Sequence, residues 1–180
     1  MVITLKIIHI FKYPIELVAE THLNKYPNDK EKNVLAVETV EKTQNKDGTL
    51  YIKRIAYCNN IVPFVLRQLS DLNKSVVHVE EQCWLNYLRR SLLIQSRNLT
   101  WTNYARLSEE SYFQPVRENP QWTYFEQSGT VDIHGLGYLG CIIENFARKF
   151  LQKGIKKSLW IMEELLAEKA SEFRYASAEE

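Results

Sequence analysis

Hydrophobic and polar positions along the chain change period several times, and each change marks an element. Val2 to Phe11 is dense in Ile, Val and Leu with Lys6 and His9 interspersed, the pattern of a first strand covered mostly on one face. Ile15, Val18, Ala19, His22, Leu23 and Tyr26 then follow the i, i+3, i+4, i+7 spacing of a helix stripe. Pro14 stands where a first turn tolerates proline, and Pro27-Asn28-Asp29 ends the helix. Val34 to Thr43 and Thr49 to Cys58 read as two strands joined by Asn45-Lys46-Asp47-Gly48, whose Asp-Gly pair is a hairpin signal. In the second of these strands Leu50, Ile52, Arg54 and Ala56 share one face, and Tyr51, Lys53, Ile55 and Tyr57 share the other. Either Lys53 or Arg54 therefore faces inward.

Asn59 to Ser70 is apolar without a clean period, and Pro63 interrupts any strand there. A helix beginning at Pro63 and an apolar loop are both open readings. Ser75 to Leu85, Leu92 to Thr102, Arg106 to Arg117 and Gln121 to Ile133 read as further strands, parted by Arg89-Arg90 and by Glu118-Asn119-Pro120. Runs so closely spaced favour an antiparallel sheet. From about Gly137 the pattern is helical to about Phe173, roughly ten turns, with Gly154 as a weak point. The expectation is a single α+β domain over residues 1–173 with a frayed tail over 174–180.

Composition changes this picture little. The 180 residues suit one domain whose core takes roughly 70% of the unfolded surface out of water. The 12% of aromatics suits either a large core or an apolar cavity. A formal net charge of +1 supplies no global field, so any anion recognition has to come from a local cluster. Aromatics do not interleave with a basic stripe, which argues against nucleic acid as a partner. No apolar run approaches the roughly 20 residues that span a bilayer. The start has neither the pattern of a secretory signal nor that of a mitochondrial presequence.

Candidate chemistry is sparse. Cys58, Cys83 and Cys141 are scattered and odd in number, a poor disulfide framework and a poor zinc site, and read as small buried apolar residues. His9, His22, His78 and His134 show no ligand spacing, and nothing pairs a base with a nucleophile, so neither a metal nor a catalytic residue is expected. Gly135, Gly137 and Gly140 lack the spacing of a nucleotide fingerprint, and no cofactor is expected. Asn98-Leu99-Thr100 is a formal glycosylation sequon, without meaning unless the chain is secreted. On the long helix Leu139, Ile142, Ile143, Phe146 and Phe150 form an apolar stripe, and Lys149, Lys153 and Lys157 at i, i+4, i+8 drift into it, with Lys156 beside them. Such a row either neutralises a phosphate or snorkels at a solvated edge.

Several segments, taken in order, resemble the PRELI/MSF1 family. They are Lys25-Tyr26-Pro27-Asn28 before Asn33-Val34-Leu35, the strand ending at Lys53-Arg54, and Asn59-Asn60 with Pro63. Trp101, Asn103 and Ala105-Arg106-Leu107 follow, then Trp122-Thr123 and Phe146-Ala147-Arg148. The resemblance spans about residues 1–170. It departs from the family pattern at Lys25, where relatives often carry Arg, and at Asn33, where some carry His.

The resemblance implies a START/PITP-like helix-grip fold: a curved antiparallel sheet of about seven strands around a long C-terminal helix and a lipid-sized cavity. It implies transfer of an acidic phospholipid, phosphatidic acid or phosphatidylserine, across the mitochondrial intermembrane space. A transient membrane surface and a small twin-Cys-x9-Cys helical protein would be the partners. Lys25, Lys53, Arg54, Lys149, Lys153 and Lys156 become head-group candidates, and Ile61, Val62, Pro63, Phe64, Val65 and Leu66 a lid loop. Two other readings stand beside it: a START-like module that engages a protein partner without moving lipid, and an enzyme with an acid/base constellation inside the pocket.

Overall fold

The computed structural model describes residues 2–134, 137 and 140–176. Gly135, Leu139 and the tail residues 177–180, named above, lie outside the described residues, as does the side chain of Cys141. The elements run β1 (Val2–Phe11), α1 (Ile15–Leu23), β2 (Val34–Gln44), β3 (Thr49–Asn59), β4 (Val76–Asn86), β5 (Ser91–Asn98), β6 (Ala105–Pro115), β7 (Thr123–Ile133) and α2 (Gly140–Ala176). The seven strands form one curved antiparallel sheet in the order β1-β7-β6-β5-β4-β3-β2. Strands β2 to β7 are thus a meander, and β1 closes its far side beside β7. The helix α2 lies across the concave face with α1 beside it, the helix-grip arrangement. It extends to Ala176, three residues past the expected end.

Local chemistry places the turns where the pattern had them. Gly48 closes the β2–β3 hairpin at φ +82°, a conformation that a side chain disfavours. The second expected strand pair ends sooner than expected: β5 stops at Asn98 because the Asn98 amide is drawn into the loop. Its Nδ2 donates to Thr100 O and Ala105 O, and its Oδ1 accepts from Leu107 N. Asn98 is buried, so the sequon offers no accessible amide. Between β3 and β4 a short 3₁₀ turn, Phe64–Leu66, begins directly after Pro63. That settles the segment as a structured loop with one helical turn.

The core is divided in two. One cluster, with Phe11, Val18, Leu92, Phe113 and Phe125, packs under α1 and against Met162 and Leu166 of α2. The other, with Ile3, Val62, Leu66 and Val131, packs against Ile143, Ala147 and Leu151 near the start of α2. Between Leu151 and Met162 the helix passes over a gap, and Gly154 presents no side chain to fill it, with nothing within 4 Å of the position a Cβ would take.

Candidate functional site

The inward rows of the sheet explain the gap. Inward positions are apolar near both ends of the strands, and polar or side-chain-free in the middle. In register across β3, β4, β5, β6 and β7, Arg54 stands opposite Glu81, Glu81 opposite Ser96, Ser96 opposite Glu109, and Glu109 opposite Gly129. The next row carries Ser111 opposite Gln127. This polar belt and the Gly154–Ser158 stretch of α2 enclose a cavity of about 270 Å³. Val37, Ala56, Val79, Leu107, Phe150 and Ile155 supply its apolar wall. The volume falls just below the roughly 300–1,000 Å³ of ordinary small-molecule sites, enough for a polar head group.

Lys25 enters this cavity from just beyond α1. Its Nζ donates to Ser158 Oγ on α2 at 2.9 Å, lies 3.5 Å from His22 Nδ1, and sits 5.0 Å from the centre of the Tyr26 ring. Burial pulls the Lys25 ammonium down to about 8, against the opposing pull of Glu81 and Glu109. Burial, then the positive charges of Lys25 and Arg54, hold His22 well below its ordinary value, so it is a neutral acceptor at pH 7. Burial, then Glu31, pushes the Tyr26 phenol up to about 12. Burial also raises the Glu109 carboxyl, opposed by Lys25 and by a hydrogen bond from Gln127. An ammonium has three donors, and two of those on Lys25 are accounted for, so one remains for a ligand in the cavity that Lys25 lines.

Arg54 is the inward member of its pair, and three of its five N–H donors are committed. Nε donates to Glu81 Oε1 at 2.8 Å, Nη2 reaches the same oxygen, and Nη1 donates to the Leu23 carbonyl at the end of α1. Arg54 therefore ties α1 to the sheet while it lines the cavity, with its Nε/Nη2 fork taken by Glu81. The remaining head-group candidates require correction. Lys53 lies on the convex face, where its Nζ is 3.1 Å from Glu80, because the period of two that turns Arg54 inward turns its neighbour out. Both basic residues of β3 pair with acids of β4 rather than with Glu38 or Glu41 of β2. Burial pushes the Glu80 carboxyl up, but hydrogen bonds from Gln82, Arg97 and Lys53 outweigh it and hold it down at about 2. Lys53→Met is expected to lower stability by about 1 kcal/mol through loss of this charged hydrogen bond. Paired urea melts of the wild type and the variant check this.

Lys149, Lys153 and Lys156 are exposed on α2 and do not line the cavity, and Lys157 pairs with Glu31 at 2.9 Å. The buried line of the helix runs through Ile143, Ala147, Leu151, Ile161 and Met162. The lid candidates divide. Val62 and Leu66 are buried in the second core cluster, and Ile61 and Pro63 are half-buried. Phe64 is 80% exposed and Val65 47% exposed. The loop is pinned shut by Asn60, whose Oδ1 accepts from Val62 N and whose Nδ2 donates to Leu72 O and Lys74 O, and by Arg67, which donates to Val62 O and Asn60 O.

Glu81, Ser96, Glu109, Gln127 and Ser158 were not among the expected site residues. Their signal was present: each is a polar residue where the alternation or the helix stripe calls for an apolar one. Among the described residues no group of three or more His, Cys, Asp or Glu side chains is placed to hold a metal ion. Among them also no helix is long and apolar enough to cross a membrane.

Residues 16–172 match the model of the PRELI-like family. A UPS-like protein, C36.10, of Schizosaccharomyces pombe is 29% identical over 124 residues, 69% of this chain; the chain spans 66% of that relative's length. Among solved structures, TTHA0849 from Thermus thermophilus superposes with a TM-score of 0.61 at 12% identity, covering 93% of this chain and 99% of that one. The Zhui aromatase/cyclase from a Streptomyces species does so with 0.58 at 14% identity, covering 95% and 94%. The 18 kDa protein CC1736 from Caulobacter crescentus gives 0.59 at 10% identity, covering 94% and 99%. At these identities the likeness concerns the helix-grip fold alone, and the cyclase's chemistry does not come with it.

Proposed function

The chain belongs to the PRELI-like family, and from that premise we propose that it is a non-catalytic carrier that shields one acidic phospholipid, phosphatidic acid or phosphatidylserine, between membranes. The observation that carries this reading is Lys25: a half-buried cation with no carboxylate bridge among the described residues, which lines a partly enclosed cavity with an apolar wall. Holding an ammonium there costs folding energy, and a phosphate is the natural partner that offsets it. The head group takes the polar belt. The acyl chains take the space that opens when the Asn60–Arg67 loop swings away from Ile143, Ala147 and Leu151, since about 270 Å³ holds a head group but not two chains.

Phe64 and Val65 on the loop, with Ile142, Phe150, Lys149 and Lys153 on the helix that it covers, supply an apolar and basic surface for transient contact with an anionic bilayer. By the same family premise the carrier works in the mitochondrial intermembrane space, in a heterodimer with a small twin-Cys-x9-Cys helical protein.

Mass spectrometry of lipids copurifying with the protein, followed by transfer between vesicles, tests the reading. A stoichiometric phospholipid and measurable transfer are expected. The modest cavity favours one competing reading, a module that binds a protein partner and moves no lipid. Lipid-free protein that captures the twin-Cys-x9-Cys partner but transfers nothing would establish that alternative.

A further inference from the structure

The cavity holds a second half-buried charge for which a simple phosphate clamp has no use. Glu109 projects from the middle of β6 between Leu107 and Ser111, on the same cavity as Lys25. The two attract one another, yet no ion pair joins them among the described residues; the Lys25 ammonium turns instead to Ser158 and His22. Gly129, in register opposite Glu109, has no side chain to cover the carboxylate, and a Cβ there would already meet Leu151 at 3.8 Å. Direct contact would be the cheapest arrangement for two opposite charges taken out of water. Here they are held apart across a space.

The other charged groups on the cavity are spoken for. Arg54 is divided between Glu81 and the Leu23 carbonyl, and Glu81 also accepts from Cys83. His22 is neutral and Tyr26 keeps its proton. What the site offers a ligand is therefore one cation and one carboxylate without an ion-pair partner among the described residues. Phosphatidate brings negative charge only: it satisfies Lys25 and places its second charge against Glu109. A phosphodiester ending in a primary ammonium satisfies both, with its phosphate on Lys25 and its N–H donors on Glu109. A quaternary ammonium has no N–H to give.

We propose that Glu109 is a specificity-determining residue that selects a phospholipid head group bearing a primary ammonium and disfavours phosphatidate. The proposal rests on the carrier reading above. Phosphatidylserine and phosphatidylethanolamine share the required chemistry, and the experiment separates them.

Donor vesicles of phosphatidylcholine are doped in turn with phosphatidylserine, phosphatidylethanolamine or phosphatidate, and arrival in phosphatidylcholine acceptors is followed by mass spectrometry. The wild-type protein is expected to move at least one aminophospholipid about tenfold faster than phosphatidate, the ratio set by one charged contact. The faster of the two arms identifies the head group. Glu109→Gln keeps the shape, removes the charge, and is expected to erase the preference by slowing the aminophospholipid and speeding phosphatidate. A wild-type rate for phosphatidate equal to or above both others overturns the proposal, as does an unchanged ratio in the variant. Wild-type protein that moves none of the three overturns the carrier reading together with it. Should the variant fail to fold, lipids extracted from the wild-type protein decide: enrichment in aminophospholipid supports the proposal, and enrichment in phosphatidate overturns it.

Discussion

Replacing Lys25 with Met is expected to slow phospholipid transfer by about tenfold to a hundredfold while making the folded protein more stable at neutral pH. The first half follows from the loss of a charge-assisted hydrogen bond to phosphate, worth about 1.5–3 kcal/mol in a buried site. The second follows from burial, which pulls the ammonium from its ordinary 10.5 to about 8. The unfolded chain then holds the proton more tightly than the folded one, and below about pH 8 charging the folded site costs on the order of 1–3 kcal/mol, discounted for the side chain's contact with the cavity. Between about 8 and 10.5 the unfolded state binds more protons than the native state, so the stability of the wild-type protein rises with pH across that window. Methionine fills nearly the same length and titrates nowhere. Urea unfolding within and below the window is expected to show a rise for the wild type and none from this site in the variant. A variant that is less stable at neutral pH, with transfer intact, would make Lys25 a structural cation and remove the support for a head-group site.

The architecture is largely legible in the sequence because strands such as β6 and β7 alternate. In β7 every other residue from Thr123 to Ile133 is buried, the pattern that a sheet covered on one side imposes. Alternation also required one of Lys53 and Arg54 to face inward, but only the covering by α1 and α2 decides which face that is. The two missed carboxylates were hidden by their neighbours. Glu80-Glu81 and Glu109-Glu110 are adjacent acids, and a period of two necessarily sends one of each pair to either face.

The helix misled for a different reason. Its bulkiest residues, Ile142, Phe146 and Phe150, drew the apolar stripe to one side, while the line that packs onto the sheet passes through the small residues Ala147, Gly154 and Ser158. At 100° per residue Lys149, Lys153 and Lys156 lie about 160°, 160° and 140° from Leu151, on the far side of the helix. Burial volume, not the size of individual apolar residues, locates the inner face of a helix that spans a cavity. The same displacement leaves Ile142 facing outward beside the lysines and Phe150 at the cavity's rim, lining it and still 40% exposed.

That outward surface makes the double substitution Phe64→Ser, Val65→Ser the second large effect to expect. With Phe64 80% exposed and Val65 47% exposed, the change removes little native packing, and folding stability should stay within about 0.5 kcal/mol of wild type. Entry of these two side chains into the edge of a bilayer is worth roughly 2–4 kcal/mol at the usual value per buried area, so vesicle affinity should fall about thirtyfold or more. Transfer should slow with it, because a loop that does not enter the membrane has no apolar surroundings in which to open. The buried members of the same loop behave oppositely: Val62→Ser or Leu66→Ser opens a void beside Ile143, Ala147 and Leu151 and should cost about 2–4 kcal/mol of folding stability. Flotation with vesicles, thermal melts and transfer rates, measured on the same preparations, separate the two classes. Wild-type flotation and transfer in the Phe64, Val65 variant would mean that the exposed tip is not what meets the membrane. The docking surface would then have to lie on Ile142, Phe150 and the lysines of α2 alone, and those residues become the next to substitute.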